Sequence, residues 1–217
     1  MQFTAVTTTT YPHVITLKPR GIHHETHQKI ALITTLLTGS LVITACNEAP
    51  PAKAGIPPKL YTDSLFAVMN ADRANYTKLI IQRLGPNGAG AIKPDEHWKE
   101  IENGALLPAQ MFRAGSEAVA EVTDEFTYSL QSLWPINKQN APKTPLEEEG
   151  LQYTVDNPGE NFYGEEKLGD VTYFTAVYPD VAVSPACTTC HNDHKDSPRT
   201  DFDIGDVMGG VVIRVPL

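Results

Sequence analysis

A cysteine pair stands next to a histidine in the run CTTCH, residues 187–191. Three chemistries use two cysteines separated by two residues: a redox dithiol, half of a zinc site, and covalent attachment of haem c. The third requires a histidine directly after the second cysteine, because the thiols bond to the haem and the histidine ligates its iron. Cys187, Cys190 and His191 meet this requirement.

The neighbouring sequence gives the two other chemistries less support. A structural zinc site needs four ligands, and the only nearby candidate for a third is His194. A redox dithiol usually opens a helix after a strand, whereas the residues from His191 to Asp203 are polar and interrupted by proline. We therefore predict one haem c per chain, bonded to Cys187 and Cys190 with His191 as the proximal iron ligand. Zinc and a dithiol remain the alternatives.

The first 45 residues have the features of an export signal. Residues 30–45, IALITTLLTGSLVITA, form an apolar run that follows three basic residues and is too short to span a membrane. Residues 43–46, ITAC, resemble the lipobox of bacterial lipoproteins, in which cleavage before the cysteine lets its thiol carry a lipid. We predict a cleaved signal peptide over 1–45, a lipid anchor on Cys46, and a location in the periplasm or cell envelope.

The chain is acidic, which limits its partners. It carries 17 Lys and Arg against 26 Asp and Glu, a formal net charge of −9. Removal of residues 1–45 leaves 14 basic and 25 acidic residues, a net charge of −11. A nucleic-acid partner is excluded on this ground, because phosphate binding depends on basic side chains.

The mature chain divides into a tether, 46–60, and one domain, 61–217. The tether is rich in proline and alanine and has no apolar period. Apolar spacing in the domain predicts helices over 61–84, 108–122 and, between two prolines, 145–158; alternation predicts strands over 126–134, 171–179 and 208–217. This order suits an α+β domain with an antiparallel sheet and with CTTCH on an irregular segment before the last strand.

The C-terminal run CTTCHNDHKDSPRTDFDIGDVMGGVVIRVP, 187–216, resembles the signature of the Tll0287-like haem c domain family. The upstream pieces LPAQMF, YSLQSLWPINKQNAP and GEEKLGDVTYFTAV are also similar to that family, so the resemblance covers about residues 61–217. It implies a PAS-like fold with a central antiparallel sheet and one covalently held haem. Such domains occur in stand-alone exported proteins and as the sensor half of membrane signalling proteins.

The sixth iron ligand determines what such a haem does. A closed iron favours electron transfer, whereas an open one binds gases. Some members of the family use a cysteine, but the only further cysteine of this chain is Cys46, which the lipid occupies. Met111 is therefore our first candidate, and the others are Met69, His97, Met208 or an open position. Arg113 and Arg199 are candidates for pairing with a haem propionate.

These observations predict an exported monohaem protein that cycles between Fe(II) and Fe(III), in electron transfer or redox sensing. The alternative is a periplasmic sensor of gases or redox state that signals through a separate partner chain. The redox or signalling partner has no identifying feature in this sequence. We expect no enzymatic turnover, since no paired acid and base or activated nucleophile is evident.

Overall fold

Residues 55–217 are described by the computed structural model. The predicted signal peptide over 1–45, the predicted lipid site at Cys46 and most of the expected tether lie outside the described residues. Within residues 55–217, no helix is long and apolar enough to cross a bilayer.

The helices are α1, Pro58–Asn75, continued by a π-helix over Tyr76–Gln82; α2, Pro108–Ala120; α3, Pro145–Asp156; and α4, Pro185–Asp193. The strands are β1, Lys93–Pro94; β2, Gly104–Ala105; β3, Thr127–Gln131; β4, Phe162–Leu168; β5, Val171–Val181; and β6, Val207–Pro216.

Four strands form an antiparallel sheet in the order β3-β6-β5-β4, with β6 and β5 at its centre. β4 and β5 are joined by the two-residue turn Gly169-Asp170, in which Gly169 has a φ of 62°. A tight hairpin needs a left-handed residue at this point, and glycine adopts that conformation without steric cost. β1 and β2 form a separate parallel pair.

Both faces of the central strands are covered. Successive residues of a strand point to opposite faces, so Ala176 and Tyr178 face one way and Val177 the other. On the first face, α1 and α2 contribute to a core built on Phe112, Ala176, Tyr178, Val211 and Ile213. On the second face, Leu151 of α3 packs against Val177 and Val212. The sheet is therefore the middle layer of the domain.

Polar contacts tie α1 to the sheet near both of its ends. Near its start, Asp63 Oδ1 accepts hydrogen bonds from the hydroxyls of Tyr178, at 2.7 Å, and Tyr163, at 2.8 Å. Burial raises the pKa of the Tyr178 hydroxyl, which keeps it a neutral donor. Near the end of the helix, the guanidinium of Arg73 forms a two-pronged ion pair with Asp180, the penultimate residue of β5. α1 is thereby fixed to the last part of β5 and to β4.

A buried ion cluster joins α3 to the sheet on the second face. Glu147 is fully buried, and its Oε1 lies 2.8 Å from Arg214 Nη2. The same nitrogen lies 2.8 Å from Glu166 Oε1. Glu147 also accepts hydrogen bonds from Gln131 Nε2 and from two backbone amides just before α3. Each oxygen of the buried carboxylate therefore has partners, the condition under which a buried charge is tolerated.

The structure confirms the predicted α+β class with an antiparallel sheet, and it corrects several local predictions. The first helix begins at Pro58 rather than residue 61, and its last part is a π-helix. Strand β4 is present where no strand was predicted. The prediction that CTTCH lies on an irregular segment is wrong, because residues 187–191 belong to helix α4.

The ion cluster predicts a large stability loss when its cation is removed. We expect Arg214→Met to lower the free energy of unfolding by about 3–5 kcal/mol, because it leaves the charge of Glu147 buried without its main counter-ion. The matched control is Arg113→Met, whose guanidinium is half exposed and pairs with Glu117 one helical turn away. That variant should lose at most about 1 kcal/mol. Urea denaturation at neutral pH measures both, and equal losses would contradict the prediction.

Candidate functional site

Helix α4 brings the three residues of the motif to one side. Ser184 caps the helix by accepting a hydrogen bond from the amide of Ala186 at 3.2 Å, and Pro185 occupies the first helical position. Serine followed by proline is a common helix start. Cys190 and His191 follow Cys187 by three and four positions, the spacings at which side chains share a helix face. The site therefore depends on this segment being helical.

The two thiols differ in their surroundings. Both cysteines are free; Cys187 is half buried and Cys190 is exposed at the surface. Cys187 packs against an apolar cluster made by Ala182, Phe202, Met208 and Trp134. Partial loss of hydration raises the pKa of the Cys190 thiol, and the negative charge of Glu96 raises it further. A redox dithiol needs a thiol with a lowered pKa, so these surroundings do not suit one.

Two further features bear on the alternatives to haem. α4 connects β5 to β6, which are antiparallel neighbours, whereas the dithiol helix of a thioredoxin-like protein belongs to a βαβ unit. Within residues 55–217, no group of three or more His, Cys, Asp or Glu side chains stands where it could hold a bare metal ion. A structural zinc site needs four such ligands, and the described residues do not assemble them.

His191 is held in a form that can ligate a metal. Its ring lies edge-on to Phe202, with 5.9 Å between the ring centroids. Burial lowers the pKa of His191; Asp180 opposes this shift, while Arg73 and His194 add to it. The imidazole is therefore neutral at pH 7, as a metal ligand must be. Its Nδ1 is buried and has no hydrogen-bond partner among residues 55–217.

The segment after α4 folds back to wall the site. The side chain of Asn192 accepts a hydrogen bond from the amide of Phe202 and donates one to its carbonyl, each at 2.9 Å. The guanidinium carbon of Arg199 lies 4.3 Å from the ring centroid of Phe202 and 4.6 Å from that of Trp134. Phe202 is thus fixed between α4 and a stacked cation, with its ring perpendicular to that of His191.

Two other parts of the chain, the end of the π-helix and Glu96, also lie close to α4. Ser184 Oγ is 3.5 Å from Gln82 Oε1 at the end of the π-helix, a kind of helix that is frequent at functional sites. Glu96 Oε1 lies 3.8 Å from His194 Nε2, next to the end of α4. The backbone carbonyl of Glu96 accepts a 2.8 Å hydrogen bond from Gln110 in the first turn of α2. Residue 96 therefore lies between the start of α2 and the residue that follows α4.

The predicted sixth ligands lie in different surroundings. Met69 packs against the core on the first face of the sheet, a cluster that includes no residue of α4. Met208 is buried in the cluster that holds Cys187. His97 is largely exposed, and its Nε2 is 3.7 Å from Glu96 Oε1. Met111 is half buried and directly follows Gln110.

The two arginines predicted to pair with a haem propionate lie in different parts of the domain. Arg113 bonds to Glu117 and Gln139, and it lines a cavity beside β3 that contains no residue of α4. Arg199 stacks on Phe202 in the wall of the site. The structure therefore brings only Arg199 near CTTCH. Sequence reasoning missed Arg73 and Asp180, whose charges act on His191, because no local pattern relates them to the motif.

The fold and the site define a class of protein: a small α+β domain that presents two free thiols and a neutral imidazole on one side of a short helix. The sequence matches the Tll0287-like family over residues 59–216, so the chain belongs to this family, as its motifs predict. A solved structure, the cyanobacterial heme protein Tll0287, is 16% identical; the match covers 74% of this chain and 97% of that one, with a TM-score of 0.48. No curated protein matches significantly.

The Asn192 clamp leads to a graded prediction. Asn192→Ala removes both bonds to the buried backbone of Phe202, and we expect it to lower the free energy of unfolding by about 1–3 kcal/mol. Asn192→Asp retains the acceptor for the Phe202 amide but places its second carboxylate oxygen against the Phe202 carbonyl, so its loss should be at least as large as that of the alanine variant. Thr189→Ala, at an exposed position of the same helix, is the control and should change stability by less than about 0.5 kcal/mol. Chemical denaturation would refute the clamp if all three variants matched the wild type.

Proposed function

We propose that this chain holds one haem c through thioether bonds from Cys187 and Cys190, with His191 as the proximal iron ligand. The observation that carries the proposal is the arrangement on α4, where two unpaired thiols and a neutral imidazole lie within one helical turn. Membership of the Tll0287-like family supports it, since the protein after which that family is named is a heme protein. We also propose that the domain is PAS-like.

Haem c, when bound, supplies an iron that exchanges one electron between Fe(II) and Fe(III). The residues of this chain set the conditions for that exchange. Cys187 and Cys190 fix the group to α4, and neutral His191 offers a nitrogen lone pair. Phe202 and Trp134 exclude water from the side of α4 on which they pack. Arg73 is paired with Asp180 and Arg199 with Asp201, so the charge of each cation near His191 is largely balanced by a carboxylate.

We propose Met111 as the sixth ligand. It follows Gln110, which bonds to the carbonyl of Glu96, and the side chain of Glu96 lies 3.8 Å from His194, the residue that follows α4. Met69 and Met208 are each packed in an apolar cluster, and withdrawing either side chain would leave a cavity there. His97 is largely exposed in solvent and lies beside Glu96. A methionine ligand closes the iron and suits electron transfer.

The biological role that we propose is electron transfer or redox sensing in the periplasm or cell envelope. A lipid on Cys46 would hold the acidic domain near the membrane, with a redox or signalling partner as a separate chain. We propose no substrate turnover. The rival role is a gas or redox sensor module, for which the iron would need an open or weakly held sixth position.

Covalent attachment is tested first. The full chain, expressed with the cytochrome c maturation system, should retain its colour after acid-acetone extraction and give a c-type pyridine haemochrome spectrum. We expect the double variant Cys187→Ala, Cys190→Ala to lose all covalently bound haem, because no thiol remains on α4. Thr189→Ala, between the two cysteines, should retain it. A colourless wild-type protein that contains zinc or two titratable thiols would contradict the proposal.

The sixth ligand is tested with carbon monoxide on the reduced, haem-loaded protein. We expect little spectral change in the wild type and rapid CO binding in Met111→Ala, because removal of the thioether opens the iron. Met208→Leu, a volume-conserving change in a buried cluster, is the control and should behave like the wild type. Rapid CO binding by the wild type would instead identify the sensor role, and an unchanged Met111→Ala would exclude Met111.

A further inference from the structure

One side of α4 faces solvent and carries the more exposed of the two thiols. Thr189, Cys190 and Asp193 are exposed, whereas Cys187 is half buried in an apolar cluster. Positions 190 and 193 are three apart and positions 189 and 193 are four apart, the spacings at which side chains share a helix face. The bond from Cys190 to the proposed haem is therefore at the protein surface.

Two carboxylates without a cationic partner stand beside Cys190. Glu96 and Asp193 are both close enough to Cys190 for their charges to act on it. Glu96 Oε1 lies 3.7 Å from His97 and 3.8 Å from His194, and neither imidazole is a fixed cation. Asp193 is exposed and forms no ion pair with any Lys, Arg or His among residues 55–217.

The cations that follow α4 in the sequence are already neutralised. Lys195 Nζ lies 2.5 Å from Asp196 Oδ2, and Arg199 Nε lies 2.7 Å from Asp201 Oδ1. Neither cation is therefore available to balance the two carboxylates beside Cys190. The surface around this cysteine carries a net negative charge that can meet cations from outside the chain.

Two exposed apolar side chains lie next to the start of α4. Val183, two residues before the helix, is 45% exposed, and Ile204 is 57% exposed. The amide of Gly205 donates a 3.0 Å hydrogen bond to the carbonyl of Ala182, which holds the two segments side by side. α4 has nine residues and is about 14 Å long. A weak electron-transfer contact buries up to about 600 Å² of each partner, so one partner can reach both ends of this helix.

We propose that this chain exchanges electrons with a partner whose contact surface is basic around an apolar centre. The partner would contact the α4 surface, which consists of Glu96, Val183, Cys190, Asp193 and Ile204. This inference rests on the proposed haem and adds the chemistry of the partner to it. Negative charge beside the exposed thiol steers a cationic partner to this place and repels an acidic one. One electron passes between the haem iron and the redox centre of the partner, and no bond forms or breaks.

Two small oxidants of opposite charge test the charge of the α4 surface. The reduced, haem-loaded full chain is mixed in a stopped-flow instrument with tris(phenanthroline)cobalt(III), a trication with an apolar shell, or with ferricyanide, a trianion. At an ionic strength of about 0.1 M, the double variant Glu96→Gln, Asp193→Asn should lower the ratio of the cobalt rate to the ferricyanide rate by about fivefold or more. The ratio is the measure, because a changed reduction potential alters the driving force for both oxidants alike.

The matched control removes the same charge elsewhere. The double variant Glu148→Gln, Glu149→Gln neutralises two exposed carboxylates of α3, on the second face of the sheet. It should change the ratio by less than about twofold, because charges beyond about 10 Å are screened at this ionic strength. A chain without covalent haem would contradict the proposed function itself. A haem-loaded chain in which both double variants change the ratio equally, or neither does, would overturn only the inference about the partner.

The apolar part of the α4 surface has its own test. Ile204→Ser should slow oxidation by the cobalt complex by about twofold or more and leave the ferricyanide rate unchanged, because only the cobalt complex has aromatic ligands that contact apolar side chains. Val122→Ser, at an exposed apolar position just after α2, should leave both rates unchanged. An unchanged cobalt rate in Ile204→Ser would overturn the apolar centre of the proposed contact.

Discussion

Helix α4 has nine residues, and the arrangement at CTTCH exists only while this segment is helical. A helix of that length is unstable alone in water, so its neighbours must stabilise it. Ser184 caps its start, and the two bonds between Asn192 and Phe202 hold the chain beyond its end. The chain before and after α4 is also joined directly, since the amide and carbonyl of Ala182 bond to Asp206 and Gly205. The site thus takes its geometry from the central strands.

The sheet in turn depends on charges placed at its two faces. On one face, Arg73 of α1 pairs with Asp180, four residues before the cap of α4. This pair fixes α1 against the strand that leads to the site. Its two charges shift the pKa of His191 in opposite directions. On the other face, Arg214 holds Glu147 and Glu166. Both ion pairs join residues that are remote in sequence, so they fix tertiary positions that local propensity leaves open.

The sequence predicts those parts of the fold that have local signals. Pro108 marks the start of α2, and Thr144 and Glu147 form a capping box at the start of α3. β4 was missed because its outer part, with Glu165, Glu166 and Lys167, has the charged composition of an edge strand and resembles a loop. Glu147 stands in a run of three glutamates, a composition typical of a surface. Its burial is explained by the ion pair with Arg214, which is 67 residues away in the sequence.

The residues of the candidate site also fall into those with a local sequence signal and those without one. Cys187, Cys190 and His191 are found from their spacing alone, because the chemistry requires them to be adjacent in sequence. Serine and proline at 184 and 185 were available as a helix start, but α4 is too short for an apolar period to confirm it. The charges of Arg73 and Asp180 reach His191 only through the packing of α1 on β5. No pattern in the sequence alone indicates that contact.

The cavity beside β3 and the proposed haem site are connected by the residues that follow this strand. Gln131 lines the cavity, and Ser132 donates a 2.6 Å hydrogen bond to the carbonyl of Met208, which packs beside Cys187. The same hydroxyl accepts a bond from the amide of Trp134 at 2.9 Å. Two sites are coupled energetically only where the element between them has two arrangements of different affinity. Ser132 is buried and engaged in both directions, which holds this segment in one arrangement.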